Sequence, residues 1–376
     1  VAWSFIATDG RPGGLLISAE APYTDAKFTD GLDLGNLTCT LNLKDVPAED
    51  RLEYMDPDRT VIWPCWNGNP VGAWIVTGRP SRTLGQDQVS IVAQPALWRI
   101  LDGRTVRSTL VFQQVDQLDI ARDLIRYATN QPLLFVQTQP FSKGAQYAAP
   151  WLRLDTSLSG VKRDRLDNQD GWQWWERTKL ADCLESLMNL QDGFEVRTVA
   201  AIENGAPYLM VQFGYPLFAG DLLAGTIEWP SGVVTAGTHG VDGTDRASLI
   251  DAIGAGQDAN TLIAPWTDPV QTERMPRERA FSAGDISTYR ILELAAAGEG
   301  DQAGLQEGFA LTVGSDELMP YSYEWGSVFR LTIEDEGFPL DAQGQPASFL
   351  VRVRGADFQV GAFGAGDTIQ LSVQVI

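Results

Sequence analysis

Asn69-Pro70-Val71-Gly72-Ala73-Trp74-Ile75-Val76-Thr77-Gly78 puts apolar groups on both faces of an extended run. A half-buried strand alternates apolar with polar, so a run apolar on both sides predicts cover on both. Outward from it, Leu37-Thr38-Cys39-Thr40-Leu41, Val61-Ile62-Trp63 and Gln88 to Ala93 are further short runs rich in Val, Ile, Thr and Trp. Turn-forming clusters lie between: Asp9-Gly10-Arg11-Pro12-Gly13-Gly14, Asn67-Gly68-Asn69-Pro70 and Leu84-Gly85. Runs separated by turn chemistry predict a small barrel or sandwich over residues 1–108.

The pattern then changes. Asp116 is placed to cap a helix, Asp119 stands at the box position, and Val115 and Ile120 occupy the staple positions. Ala121, Leu124, Ile125 and Ala128 share one face, and Asn130-Gln131-Pro132 ends it. Leu180, Cys183, Leu184, Leu187 and Met188 recur at helical spacing after Thr178, with Gly193 in the closing position. Phe194 to Ile202, Asn204-Gly205 and Tyr208 to Phe213 read as a hairpin. Residues 109–220 are thus expected to be a mixed α/β connector. Strand runs return at Gly225 to Trp229, Ser248 to Ile253, Phe309 to Val313, Ser327 to Ile333, Phe349 to Val353 and Thr368 to Val375. A helical insert is expected near 286–297. The fold class is α+β, mainly β, with β-rich ends at 1–108 and 221–376 around the connector.

Composition mostly excludes. The 376 residues carry a dispersed net charge of −21, which repels phosphate and argues against groove-reading of nucleic acid. Lys162-Arg163-Asp164-Arg165 is too short to reverse that sign and reads as a solvated loop or contact rim. The single histidine, His239, lies among glycines in an expected loop, and no G-x-S-x-G elbow accompanies it. Cys39, Cys65 and Cys183 form no C-x-x-C pair and are expected as small buried hydrophobes. Gly254-Ala255-Gly256-Gln257-Asp258-Ala259 imitates a dinucleotide fingerprint, yet Pro265 follows where a helix must open, so a glycine-rich bend is expected. Asp242-Gly243-Thr244-Asp245 lacks the ligand spacing of a calcium loop. No metal or cofactor is expected, and an iron- or nucleotide-dependent enzyme lacks its ligands. Nor is membrane insertion or export expected: no run reaches roughly 18–20 apolar residues, and Val1 to Phe5 opens no signal peptide.

Trp172-Gln173-Trp174-Trp175-Glu176 is the sharpest local oddity. If it is a strand, Trp172 and Trp174 share a face. Trp172, Trp174 and Trp175 are then candidates for core packing, inter-domain packing or partner contact, as Trp is usually largely buried. A glycan platform is the alternative, for which catalysis needs two carboxylates at about 5–9 Å, a distance the sequence does not fix.

From Asn69 to Gly78 the chain runs through Val89 to Ala93, Leu97-Trp98-Arg99-Ile100-Leu101-Asp102-Gly103-Arg104 and Val115 to Ile125. Leu180 to Leu190, Asp192-Gly193-Phe194 and Val211-Gln212-Phe213-Gly214-Tyr215-Pro216 follow. This succession resembles the minor tail proteins of long-tailed actinobacteriophages that serve as the tail-tip hub, which are similar to the baseplate hub of contractile-tailed phages. The likeness is most specific over about 60–220; beyond that it is one of element order. It implies a non-enzymatic structural protein of the virion tail tip, made in the host cytoplasm. Each chain would supply two tube-like β-barrel domains, so that a homotrimer imitates a six-fold ring. Implied partners are the distal tail protein, the C-terminus of the tape-measure protein and a central fibre or other tail-tip minor tail proteins. Genome DNA would pass without specific binding. The alternative from a different class is a glycan-binding or glycan-degrading receptor-binding protein, suggested by 12 Trp among many acids.

Overall fold

The computed structural model describes residues 3–11, 16–32, 35–79, 87–136, 149–165, 171–218, 225–229, 234–242, 246–256, 260–268, 277–284, 286–303, 306–313, 325–334, 338, 344–360 and 367–376. The expected turn at Leu84-Gly85, Pro12 to Gly14, residues 243–245 and 257–259, and the boundary near 220 lie outside them.

The chain opens with β1 (Trp3–Asp9), β2 (Leu16–Ser18), β3 (Tyr23–Gly31), β4 (Leu37–Asn42), β5 (Thr60–Trp66), β6 (Asn69–Pro70), β7 (Trp74–Gly78) and β8 (Gln88–Pro95). Then come α1 (Ala96–Asp102), β9 (Phe112–Asp116), α2 (Gln117–Ala128), β10 (Leu152–Leu154), β11 (Lys162–Arg165), α3 (Leu180–Met188), β12 (Glu195–Glu203) and β13 (Ala206–Gly214). The rest is β14 (Gly225–Trp229), β15 (Val234–Asp242), β16 (Leu249–Ile253), β17 (Ile263–Thr267), β18 (Glu278–Ser282), α4 (Tyr289–Gln302), β19 (Gln306–Val313), β20 (Val328–Ile333), β21 (Ala347–Val360) and β22 (Thr368–Val375). The fold is mainly β, as expected.

The two β-rich ends are hydrogen-bonded into one sheet, ordered β15-β19-β22-β21-β3-β4-β8-β7-β5-β1-β2, with β14, β20 and β6 attached beside this path. β21 meets β3 antiparallel from Gly355↔Gly31 to Val360↔Ala26. Phe28 and Phe358 oppose each other in that register and stack at 5.0 Å, with Trp3 edge-on to both at 5.5 Å. Gly31 has φ 141°, and a Cβ there would strike the Gly355 backbone, so the seam requires glycine.

The opening stretch shows why both its faces are apolar. Trp74 and Val76 face a core shared by both ends, whereas Ala73 and Ile75 face a second core built with α1, α2, α3 and the β12–β13 hairpin. β5 divides likewise, with Ile62 and Trp66 on one side and Val61, Trp63 and Cys65 on the other. These strands are the wall between the two cores.

Asp116 caps α2 by accepting from the Leu118 amide at 2.9 Å. Asp119 turns instead to Arg122, at 2.7 Å, rather than back to the cap. α3 starts one residue after Thr178's expected role: the cap position is Lys179, with no side-chain bond. Its C-cap is Asn189, and Gly193 lies beyond it, where a Cβ would collide with the Met188 carbonyl. The expected hairpin is present, with Asn204 (φ 53°) and Gly205 (φ 79°) between Glu203 and Ala206, a two-residue turn with both φ positive.

The helical insert is present but displaced, from 286–297 to 289–302. Gly298 and Gly300, inside it, are close-packing positions, one against the Asn189–Leu190 backbone and the other against the Trp266 ring. α4 covers the small β17-β16-β18 sheet through Leu292 and Ala296.

Candidate assembly surfaces

Trp172 and its neighbours do not share a strand face. Residues 174–176 form a turn, closed by the Glu176 amide on the Gln173 carbonyl at 3.2 Å and the Gln173 amide on Glu176 Oε2 at 3.3 Å. Trp172 is buried, edge-on to Phe112 with the Arg165 guanidinium 4.9 Å from its ring. Trp174 and Trp175 point outward, 47% and 55% exposed, with centroids 5.8 Å apart at 84°. Arg177, at φ 56°, lies 5.7 Å from the Trp174 ring. The structure thus separates one packing tryptophan from an exposed pair, a split that strand alternation did not anticipate.

His239 is on β15, not in a loop. Gly237 and Gly240 are not among the positive-φ residues, so these glycines extend the chain instead of turning it. The imidazole stacks on Phe309 at 4.6 Å, with Nε2 2.9 Å from Glu307 Oε1. β15 pairs with β19 on one side only, and from Thr235 onward all its residues are exposed. At the opposite end of the path, β2 pairs only with β1. Among the described residues this path therefore ends in two unlike open edges, while β14, off the path, also has a single partner, β20. The β15 edge was not legible beforehand because that strand has no apolar face to reveal it.

The connector is fastened to the final strands by charge. Glu195 accepts from Arg352 Nη1 and Nη2 at 2.8 and 2.5 Å and from the Phe218 amide at 2.9 Å. Arg197 lies over the Phe218 ring at 4.4 Å and donates to the Trp325 carbonyl at 3.1 Å. Nearby in the seam, burial pushes the Asp30 carboxyl up to about 7, against hydrogen bonds from the Gly31 amide and the Trp325 side chain.

The cysteines are buried, as expected. Burial pushes the Cys65 thiol up to about 12 and Cys39 higher still. After Gly254-Ala255-Gly256, with Gly256 at φ 129°, the chain returns as β17, antiparallel to β16. Among the described residues no three His, Cys, Asp or Glu side chains gather as metal ligands, and no helix is long and apolar enough to cross a membrane.

No protein-family model and no curated protein matches the chain. Solved structures do. The 43 kDa tail protein of prophage MuSo2 from Shewanella oneidensis aligns over 98% of this chain and 97% of its own, at 13% identity and TM-score 0.55. A chain of the Francisella PdpA–VgrG complex aligns over 99% of this chain but 52% of its own, at 9% identity and TM-score 0.50. The tail protein from Neisseria meningitidis MC58 aligns over 99% of this chain and 96% of its own, at 14% identity and TM-score 0.48. The fold is one found in phage tail proteins.

Proposed function

We propose that this chain is a structural, non-enzymatic component of a phage tail tip, a hub of which three copies form a ring continuing the tail tube. In this reading residues 1–108 and 221–376 each supply a tube-like β-barrel, and 109–220 braces them. The ring joins the distal tail protein to a central fibre or other tail-tip minor tail protein. Its lumen holds the tape-measure C-terminus and later passes DNA. The observation that carries the reading is the alignment of the whole architecture, end to end, with a prophage tail protein.

Two features support it. Two unlike open edges at opposite ends of one ladder, β15 and β2, suit head-to-tail association, the contact type that closes rings. A net charge of −21 suits a wall past which phosphate slides without sticking. Trp174 and Trp175 are assigned to partner contact. A cryo-EM map of the tail tip tests the reading: three copies in an axial ring are expected, and six copies per ring, or a place off the axis, overturns it.

The second reading, a glycan-binding or glycan-degrading receptor-binding protein, is favoured by the exposed Trp174–Trp175 pair beside Glu176. Its weakness is geometric, since rings at 84° offer no single flat platform to a sugar. A glycan array with a reducing-sugar assay separates the two. Binding abolished by Trp174→Ala moves the assignment to this reading.

A further inference from the structure

Two exposed apolar patches stand on the connector, each fixed from behind. The first is the Trp174–Trp175 pair. Its turn is tied to the segment beside it: Thr109 Oγ1 donates to Gln173 Oε1 at 3.1 Å, and the Val106 amide to the Thr178 carbonyl at 2.9 Å.

The second patch is built over α2. Asp123, 1% exposed, accepts from the amides of Leu134, Phe135 and Val136 at 3.1, 2.7 and 3.1 Å. Asp116 accepts from the Ser159 and Gly160 amides at 3.1 and 2.7 Å, and Arg122 donates to the Ser157 carbonyl. The two stretches so pinned show Leu134, Phe135 and Leu158 to solvent, 63%, 36% and 67% exposed. Large apolar side chains are ordinary on a surface when scattered; held ready by buried charges, they lose little freedom on binding and mark a contact surface.

The patches do not meet within one chain. β11 runs from Lys162, opposite Asp116, to Arg165, opposite Phe112. Leu158 precedes the first end, and at the second the Arg165 guanidinium lies 4.9 Å from the Trp172 ring. The β9–β11 ladder therefore keeps the aliphatic patch at one end and the tryptophan turn at the other. Unlike patches at two ends of one unit suit a heterologous contact, in which each copy offers a different patch to each neighbour.

Charge agrees. In a chain of net charge −21, residues 104–110 and 172–179 carry Arg104, Arg107, Arg177 and Lys179 against Glu176 alone. Even with Asp102 and Asp182 from the flanking helices, that end stays positive. The α2 side carries Asp116, Asp119, Asp123 and Asp155 against Arg122 and Arg126, while Lys162 and Asp164 on β11 cancel. A basic aromatic end thus complements an acidic aliphatic one.

We propose that the Trp174–Trp175 turn of one copy docks on the Leu134, Phe135 and Leu158 patch of a second copy, linking connectors head to tail. The indoles pack among the apolar side chains as anchors of the kind that dominate interface energetics, and the surplus arginines face the surplus carboxylates. The inference rests on the hub reading for the number of copies, three, and gives that ring a contact outside the barrel edges.

Sedimentation velocity on the full chain at up to about 100 μM, where micromolar association is populated, provides the test. Wild type is expected to self-associate. Trp174→Ser with Trp175→Ser should weaken association at least tenfold, and so should Leu134→Ser with Leu158→Ser. All four side chains are exposed, so the melting temperature of either variant should stay close to that of wild type. Mixing the two double variants is the decisive step. One brings an intact aliphatic patch and the other an intact tryptophan turn, so a one-to-one pair should form that neither makes alone. Arg107→Glu with Arg177→Glu should also weaken association at least tenfold, whereas Ile263→Ser, exposed on β17, should change it less than twofold. A monomeric wild type, double variants that associate normally, or no pair in the mixture overturns the docking. These outcomes leave the hub reading standing, which falls instead to a tail-tip map that places the chain off the axis.

Discussion

Arg122 stands mid-helix in α2 and is 2% exposed. Its guanidinium bonds Asp119 at 2.7 Å, Asp155 at 2.8 Å and the Ser157 carbonyl, and lies 5.2 Å from the Phe213 ring. One cation thus fastens α2, the segment after β10 and the hairpin. Arg122→Met keeps the stem and removes the charge, stranding two poorly solvated carboxylates, so a loss of about 3–5 kcal/mol is expected. Urea unfolding should show a lower midpoint at unchanged m, and adding Asp119→Asn and Asp155→Asn should restore part of it. Asp30 makes the complementary case. Its folded carboxyl titrates near 7 against about 4 unfolded, so the native state holds the proton more tightly. Stability from this group is full below about pH 4 and is lost as pH rises through 7, at up to about 1.4 kcal/mol per pH unit. Asp30→Asn should flatten that fall, measured as unfolding midpoints between pH 5 and 8. An unchanged slope would show that the carboxylate is solvated in the folded state.

Elements with an apolar periodicity were legible, and those without one were not. α2 announced itself through Asp116 and four same-face apolar residues, and the β12–β13 hairpin through Asn204-Gly205. β15 did not, because an edge strand with no buried face from Thr235 onward leaves only glycines to read, and glycine suggests a turn. β3 was hidden by Asp25, Lys27 and Asp30 and by an irregular register between Thr24 and Lys27, with Asp25 at φ 50°. α1, at seven residues, is shorter than any periodicity can certify. Of the candidate aromatics, composition found Trp172, Trp174 and Trp175, but only the turn at 174–176 decides which are exposed. One turn is directly testable. Gly205→Ala forces a side chain into φ 79° with open space around it, so the expected cost is about 1 kcal/mol of conformational strain, read as a lower melting temperature without local collapse.

At the scale of the molecule, the two ends behave as one body because β3 and β21 share a ladder and one core spans both. The sequence shows two β-rich ends but not this seam, whose partners lie more than 300 residues apart and whose signature is a pair of glycines and a pair of phenylalanines. Unfolding of the ends should therefore be one cooperative event. The lobe of β16–β18 and α4 differs, since its buried residues form two small clusters, Ala252, Ala264, Leu292 and Ala296 and then Ala247, Ile250 and Ala303, too little apolar area to match the main core. Hydrogen exchange under native conditions should show β3 and β21 opening together at the highest free energy, with β16–β18 opening at a lower one. Gly31→Ala tests the coupling. It places a methyl against the Gly355 backbone at φ 141°, so it should cost more than about 2 kcal/mol. The loss should appear equally in β4 and in β22, strands on opposite sides of the seam, while the β16–β18 opening stays where it was. If β4 alone or β22 alone lost protection, the ends would be independent domains that merely touch.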